Sequence, residues 1–98
     1  MQQILDGTAP VILDVRSEME YGGGHVPGAI HVPFWQIGRE WQKVASRRER
    51  PIVVYCGHGP RAFIAGAMLR RRGFTSVAYL AGHMKRWTEM HLPLEADR

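Results

Sequence analysis

The chain has 98 residues, 45% of them hydrophobic and 22% charged, with a formal net charge of +4; this is the make-up of one soluble globular domain over 1–98, with no room for a second core. Its apolar runs are far too short to span a bilayer, which excludes membrane insertion. The basic excess leaves an anionic substrate, an acidic partner or a nucleic acid open, but neither a recognised module nor basic–aromatic interleaving supports the last, so no nucleic acid is expected.

The N-terminal MQQILDGTAP has no basic segment followed by a long apolar one, and does not read as a signal peptide. Val11 to Val15 is a short apolar run of buried-strand type. Ser17 is placed to cap a short helix through Tyr21, which the glycines at 22–24 end. HVPGAIHVPF, with two prolines and a glycine, suits an extended loop enclosing a short strand from Ala29 to Val32. Ile37, Trp41 and Val44 recur at helical spacing and predict an amphipathic helix through about Ala45. After the polar connection SRRERP, Ile52 to Tyr55 is a β-branched and aromatic strand. Ala62 to Arg72 predicts a helix, and Gly66 within it signals close packing on a sheet. Arg70, Arg71 and Arg72 before Gly73 read as a solvated helix end whose cations complement the macrodipole. Val77 to Leu80 is a further strand. Met84, Trp87 and His91 give a final helix an apolar stripe, and Pro93 stops it. Strands alternating with helices predict a parallel α/β sheet, in which ligands bind where the carboxyl end of a strand meets a helix.

Cys56 sits at such a boundary, in IVVYCGHGPRA. As the only cysteine it excludes an intrachain disulfide, a CxxC redox pair and a multi-thiolate zinc site, and it favours a reducing, cytoplasmic setting. An ordinary thiol, with a pKa of about 8.5, is only slightly ionised at neutral pH. Here the start of a helix near Pro60 or Arg61 points its N-terminal dipole at the loop. Gly57 and Gly59 let successive N–H groups converge into an anion-binding nest, Arg61 adds a cation, and Pro60 suits the first helical turn. A lone cysteine ending a strand is ordinarily a small buried residue; the loop around this one points instead to a reactive thiol that handles anions. His58 either donates to a substrate or tunes the thiolate, or else faces solvent.

Four segments in order, VILDVRSEMEY, GHVPGAIHVP, IVVYCGHGPRA and VAYLAGHMKRWTEMHLPLE, cover nearly the whole chain. Together they resemble the single-domain rhodanese-like sulfurtransferases. The resemblance implies an α/β fold of three layers, a central parallel sheet of four to five strands flanked by helices. It further implies that the Cys56 thiolate takes a sulfane sulfur from a donor such as thiosulfate and passes it to cyanide or a thiol. The backbone N–H groups of Gly57, His58, Gly59, Arg61 and Ala62 would hold the persulfide, and Arg61 would bind sulfonate-like oxygens of the donor. Donor and acceptor are thus small molecules, with a protein donor or acceptor as the alternative, and no cofactor is implied. From Cys56 to Arg61 the loop is six residues, C-x4-R, the length associated with sulfur transfer. Related phosphatases carry one residue more, which ranks phosphatase and arsenate reductase lower.

Asp14 and Arg16 resemble the family's DxR pair, and Glu20 and His25 its E-x(n)-H-x-P-G-A signature. Polar residues so near a strand end are expected to be hydrogen-bonded and to brace the loop's surroundings rather than react. The five histidines show no tight ligand spacing, so no metal is expected. Trp35 and Trp41 read as packing residues. Two features depart from the family pattern. Only ten residues precede VILDVR, so the usual first strand is expected to be missing or replaced. The run GGG at 22–24 is looser than the usual polar residues there. A sulfur carrier or regulatory domain that works with a partner protein is the competing function.

Overall fold

A computed structural model describes residues 10–44, 48–57 and 59–96. The elements, in chain order, are β1 (Val11–Asp14), α1 (Glu18–Gly22), β2 (Ile30–His31), α2 (Ile37–Glu40), β3 (Ile52–Tyr55), α3 (Pro60–Arg71), β4 (Val77–Tyr79) and α4 (His83–Glu89). Single 3-10 turns, Phe34–Gln36 and Trp41–Lys43, flank α2.

The four strands form one parallel sheet in the order β2-β1-β3-β4. β1 and β3 pair along their whole length, from Val11 opposite Ile52 to Asp14 opposite Tyr55. Their continuous apolar character follows from this central position, because successive side chains point to opposite faces and both faces are covered. Leu13, Ile52, Val54 and Cys56 join Ile37, Leu69 and Phe74 in one buried cluster. On the other face Tyr55 packs with Val26, Ala29 and Met84. The result is the expected layered α/β fold, with four strands.

Most elements fall where the sequence places them, and two do not. The helix expected from Ile37 to about Ala45 is broken: Glu40, at φ −116° and ψ 18°, leaves helical geometry. Trp41 then sits edge-on to Phe74, with Arg48 and Arg72 over its ring. The final helix ends at Glu89, so its stripe is Met84 and Trp87 only. His91 lies beyond it, exposed and at φ 54°, where the chain turns back towards the sheet. The missing or replaced first strand falls on residues 1–9 and the expected end of the second helix on Ala45; both lie outside the described residues.

Gly66 does what its place in a helix suggests. A Cβ there would stand 2.3 Å from the Tyr79 hydroxyl oxygen, so α3 lies directly on β4. Arg70 and Arg71 close that helix, and Gly73, at φ 97°, follows it. Among the described residues no helix is long and apolar enough to cross a membrane.

Candidate active site

The end of β3 delivers Cys56 to the junction of strand, loop and α3, with the residue fully buried. Gly59 caps α3 with φ 135° and ψ −47°, a conformation closed to side chains, and its N–H donates to Cys56 Sγ at 2.9 Å. The first turn of α3 closes when Phe63 N–H reaches the Gly59 carbonyl at 3.1 Å. The N–H groups of Arg61 and Ala62 thus precede the helical ladder and point back at the loop.

The other side of the loop is clamped by the start of α4. Met84 N–H donates to the Cys56 carbonyl at 3.0 Å and Lys85 N–H to the Gly57 carbonyl at 2.9 Å. In a trans peptide N–H and C=O point oppositely, so holding the Cys56 carbonyl on α4 turns the Gly57 N–H away from it. Pinning the carbonyls outward is how a loop comes to present donors inward.

His83 completes the clamp, and nothing in the sequence pattern singled it out. It is buried, at φ 54°, and its Nδ1 accepts the Cys56 N–H at 3.3 Å. A Cβ on Gly59 would stand 3.5 Å from its Nε2, so the imidazole lies along the loop. The only advance signal was its position just after Gly82, where the chain enters a helix through left-handed geometry.

Arg61 sits beside the thiol. Its guanidinium lies over Gly57, with Nη2 3.3 Å from where a Cβ would be. Its fork is engaged by Glu20, Nη1 to Oε1 at 2.7 Å and Nη2 to Oε2 at 3.1 Å. Glu20 is held in turn by the N–H and Oγ of Ser17, each 2.9 Å from Oε1. The Arg61 bonds, with Ser17's, pull the Glu20 carboxyl down to about 2. The same carboxylate, and Cys56 to a lesser degree, raise Arg61 above its ordinary value.

The other residues expected to brace the site form two further groups. Arg16 Nε lies 3.1 Å from both Asp14 oxygens, and its Nη2 reaches Asp14 Oδ2 at 2.8 Å and the Gly24 carbonyl at 2.7 Å. Burial is the largest single influence and would lower the Arg16 pKa. The Asp14 bonds and charge, with smaller contributions from Tyr55 and Glu20, together hold the guanidinium above its usual value. Tyr55 Oη accepts the Val26 N–H at 3.0 Å; burial first, then the nearby Asp14 charge, pushes its phenol well up. His25 is stacked on Tyr21 at 3.7 Å, and its Nδ1 lies 2.8 Å from the Tyr21 carbonyl oxygen. Its backbone exchanges hydrogen bonds with Glu95. The structure thus brings Cys56, Gly57, Gly59, Arg61, Ala62 and Glu20 together at one loop. Asp14, Arg16 and His25 stand behind it and touch no part of the thiol in any contact described above. His58 lies outside the described residues.

A family model described as Rhodanese-like domain matches residues 1–90. A protein named sulfurtransferase from Allochromatium vinosum is 28% identical over 95 residues, which cover 97% of this chain and 87% of that protein. The putative sulfur carrier protein YrkF of Bacillus subtilis is 31% identical over 77 residues, 79% of this chain and 40% of its own length. The crystal structure of a thiosulfate sulfurtransferase from Pseudomonas aeruginosa superposes with a TM-score of 0.88 at 28% identity, over 98% of this chain and 18% of that one. The chain spans 51–59% of the length of three further curated relatives. With the parallel sheet and the cysteine-bearing loop already described, the match over residues 1–90 leaves one assignment: the chain belongs to the rhodanese-like domain family.

Proposed function

We propose that the protein is a sulfurtransferase that carries a sulfane sulfur on Cys56. The observation that carries this reading is the Gly59 N–H donated to a buried Sγ at the mouth of α3. Donors aimed at a sulfur before any reaction are the preorganised stabilisation that a persulfide anion needs. In the first half-reaction the Cys56 thiolate attacks the outer sulfur of thiosulfate. The S–S bond to the sulfonate sulfur breaks, and sulfite leaves with the bonding pair. Thiolate and thiosulfate dianion thereby become a persulfide anion and a sulfite dianion. In the second, cyanide or a thiolate attacks the outer sulfur and Cys56 departs as the thiolate. The amides of Gly57, His58, Gly59, Arg61 and Ala62 are the groups that would hold the outer sulfur. The six-residue C-x4-R loop supports this chemistry over phosphate-ester hydrolysis.

A second reading has its own support. The chain spans about half the length of several relatives, and one relative is named a putative sulfur carrier. On that reading Cys56 relays sulfur between proteins.

Incubation with thiosulfate followed by intact-mass measurement separates the two. One added sulfur, removed by cyanide as thiocyanate and absent in Cys56→Ser, is the expected result. Loading only from a protein-bound persulfide supports the relay instead. Cys56-dependent release of phosphate from an aryl phosphate overturns both.

A further inference from the structure

The fork of Arg61 was expected to meet the oxygens of an anionic donor, and the structure places Glu20 there. Both nitrogens are engaged, at 2.7 and 3.1 Å, in the paired geometry by which a guanidinium also grips a sulfonate. Glu20 is not a loose surface side chain that happens to lie close. It occupies the third position of α1, where Ser17 fixes it from the capping side. The cation beside the thiol therefore has a built-in counter-charge, and thiosulfate must displace it and then sit near it. A second observation concerns what borders the loop. Phe63, 54% exposed, lies against Gly59, where a Cβ would stand 3.4 Å from its Cε2. An aromatic edge beside the sulfur suits the carbon part of a thiol and offers nothing to a sulfonate.

On the sulfur-transfer reading above, we propose that Glu20 selects the donor, making a thiol persulfide rather than thiosulfate the preferred sulfur source. The step is balanced without any dianion. The Cys56 thiolate attacks the outer sulfur of R–S–S–H, the bond between the donor's two sulfurs breaks, and R–S⁻ leaves with the electron pair. The proton stays on the transferred sulfur, giving Cys56–S–S–H. One negative charge is present before and one after, so no free cation is required. Glu20 acts through Arg61 and is a positioning residue.

The test compares initial rates of Cys56 loading, by intact mass, from thiosulfate and from cysteine persulfide. Wild type is expected to load faster from the persulfide; faster loading from thiosulfate overturns the proposal. Glu20→Gln keeps the capping box, which accepts glutamine, and removes the charge. It is expected to raise the thiosulfate-to-persulfide rate ratio about three- to tenfold, as unmasking a nearby cation does for an anionic ligand. In an Arg61→Met background the same substitution should raise the ratio less, because no cation is left to release. A ratio within about twofold of wild type in Glu20→Gln, or an equal gain in both backgrounds, overturns donor selection while sulfur transfer stands. Absence of Cys56-dependent loading from either donor removes both readings at once.

Discussion

Asp14 is fully buried at the end of a central strand, and its charge is tolerable there because Arg16 binds both its oxygens through its backbone N–H, Nε and Nη2. Removing one partner of such a pair costs far more than removing both. Asp14→Asn is accordingly expected to cost about 3–5 kcal/mol of unfolding free energy in urea titrations. The double substitution Asp14→Leu with Arg16→Leu should cost less than that single change; the reverse order would mean that the pair is not what holds this corner. A bracing role for these residues was legible from their place at a strand end, because polar groups there must find partners. The pairing of Glu20 with Arg61, 41 residues apart, was not. Nothing in local spacing encodes it, since it depends on how α1 and α3 meet across the sheet. His83 escaped for the same reason: its partner is a backbone N–H 27 residues away.

At the scale of elements, the short helix α1 is secured at its start. Ser17 Oγ accepts the Glu20 N–H at 3.2 Å, and Glu20 returns a bond to the Ser17 N–H. Ser17→Ala should cost about 1 kcal/mol and lower Tm by about 4–8 °C. It should also loosen the carboxylate that engages Arg61, so the thiosulfate rate should rise even as the melt falls. A stable variant with unchanged melting would show the cap to be dispensable. The strands were the most legible elements because their apolar runs are bounded by loops of a different character. The stretch after Phe34 was not, because Ile37, Trp41 and Val44 satisfy helical spacing whether or not the helix is continuous. What decides the matter is Trp41, held by Phe74 and Arg72, which lie far from it in sequence, together with Arg48.

Over the whole molecule, the chain beyond α4 returns to tie down the loop after α1. Trp87 donates to the Pro93 carbonyl at 2.8 Å, and His25 and Glu95 exchange backbone bonds at 2.8 and 2.9 Å. Glu95 Oε1 also accepts the Gly28 N–H at 3.1 Å, and Leu94 lies against Gly24. Gly24 is the residue whose carbonyl Arg16 holds, so the tail supports the buried pair from outside. Truncation before Pro93 is expected to lower Tm and to expose Trp87, read as a red shift in its emission. An unchanged melt would mean that this return only decorates the surface.

The missing methyl group of Gly66 has a reach beyond its own contact. It lets α3 settle onto Tyr79, and seven residues earlier, about two turns along the same rod, the helix begins at the glycine whose N–H meets the sulfur. A stiff helix transmits a lift at one point to its tip. Any side chain at 66 would act as a wedge, tilting that donor off its target without touching the loop. The thiol's chemistry is thus calibrated by a spacer of zero thickness.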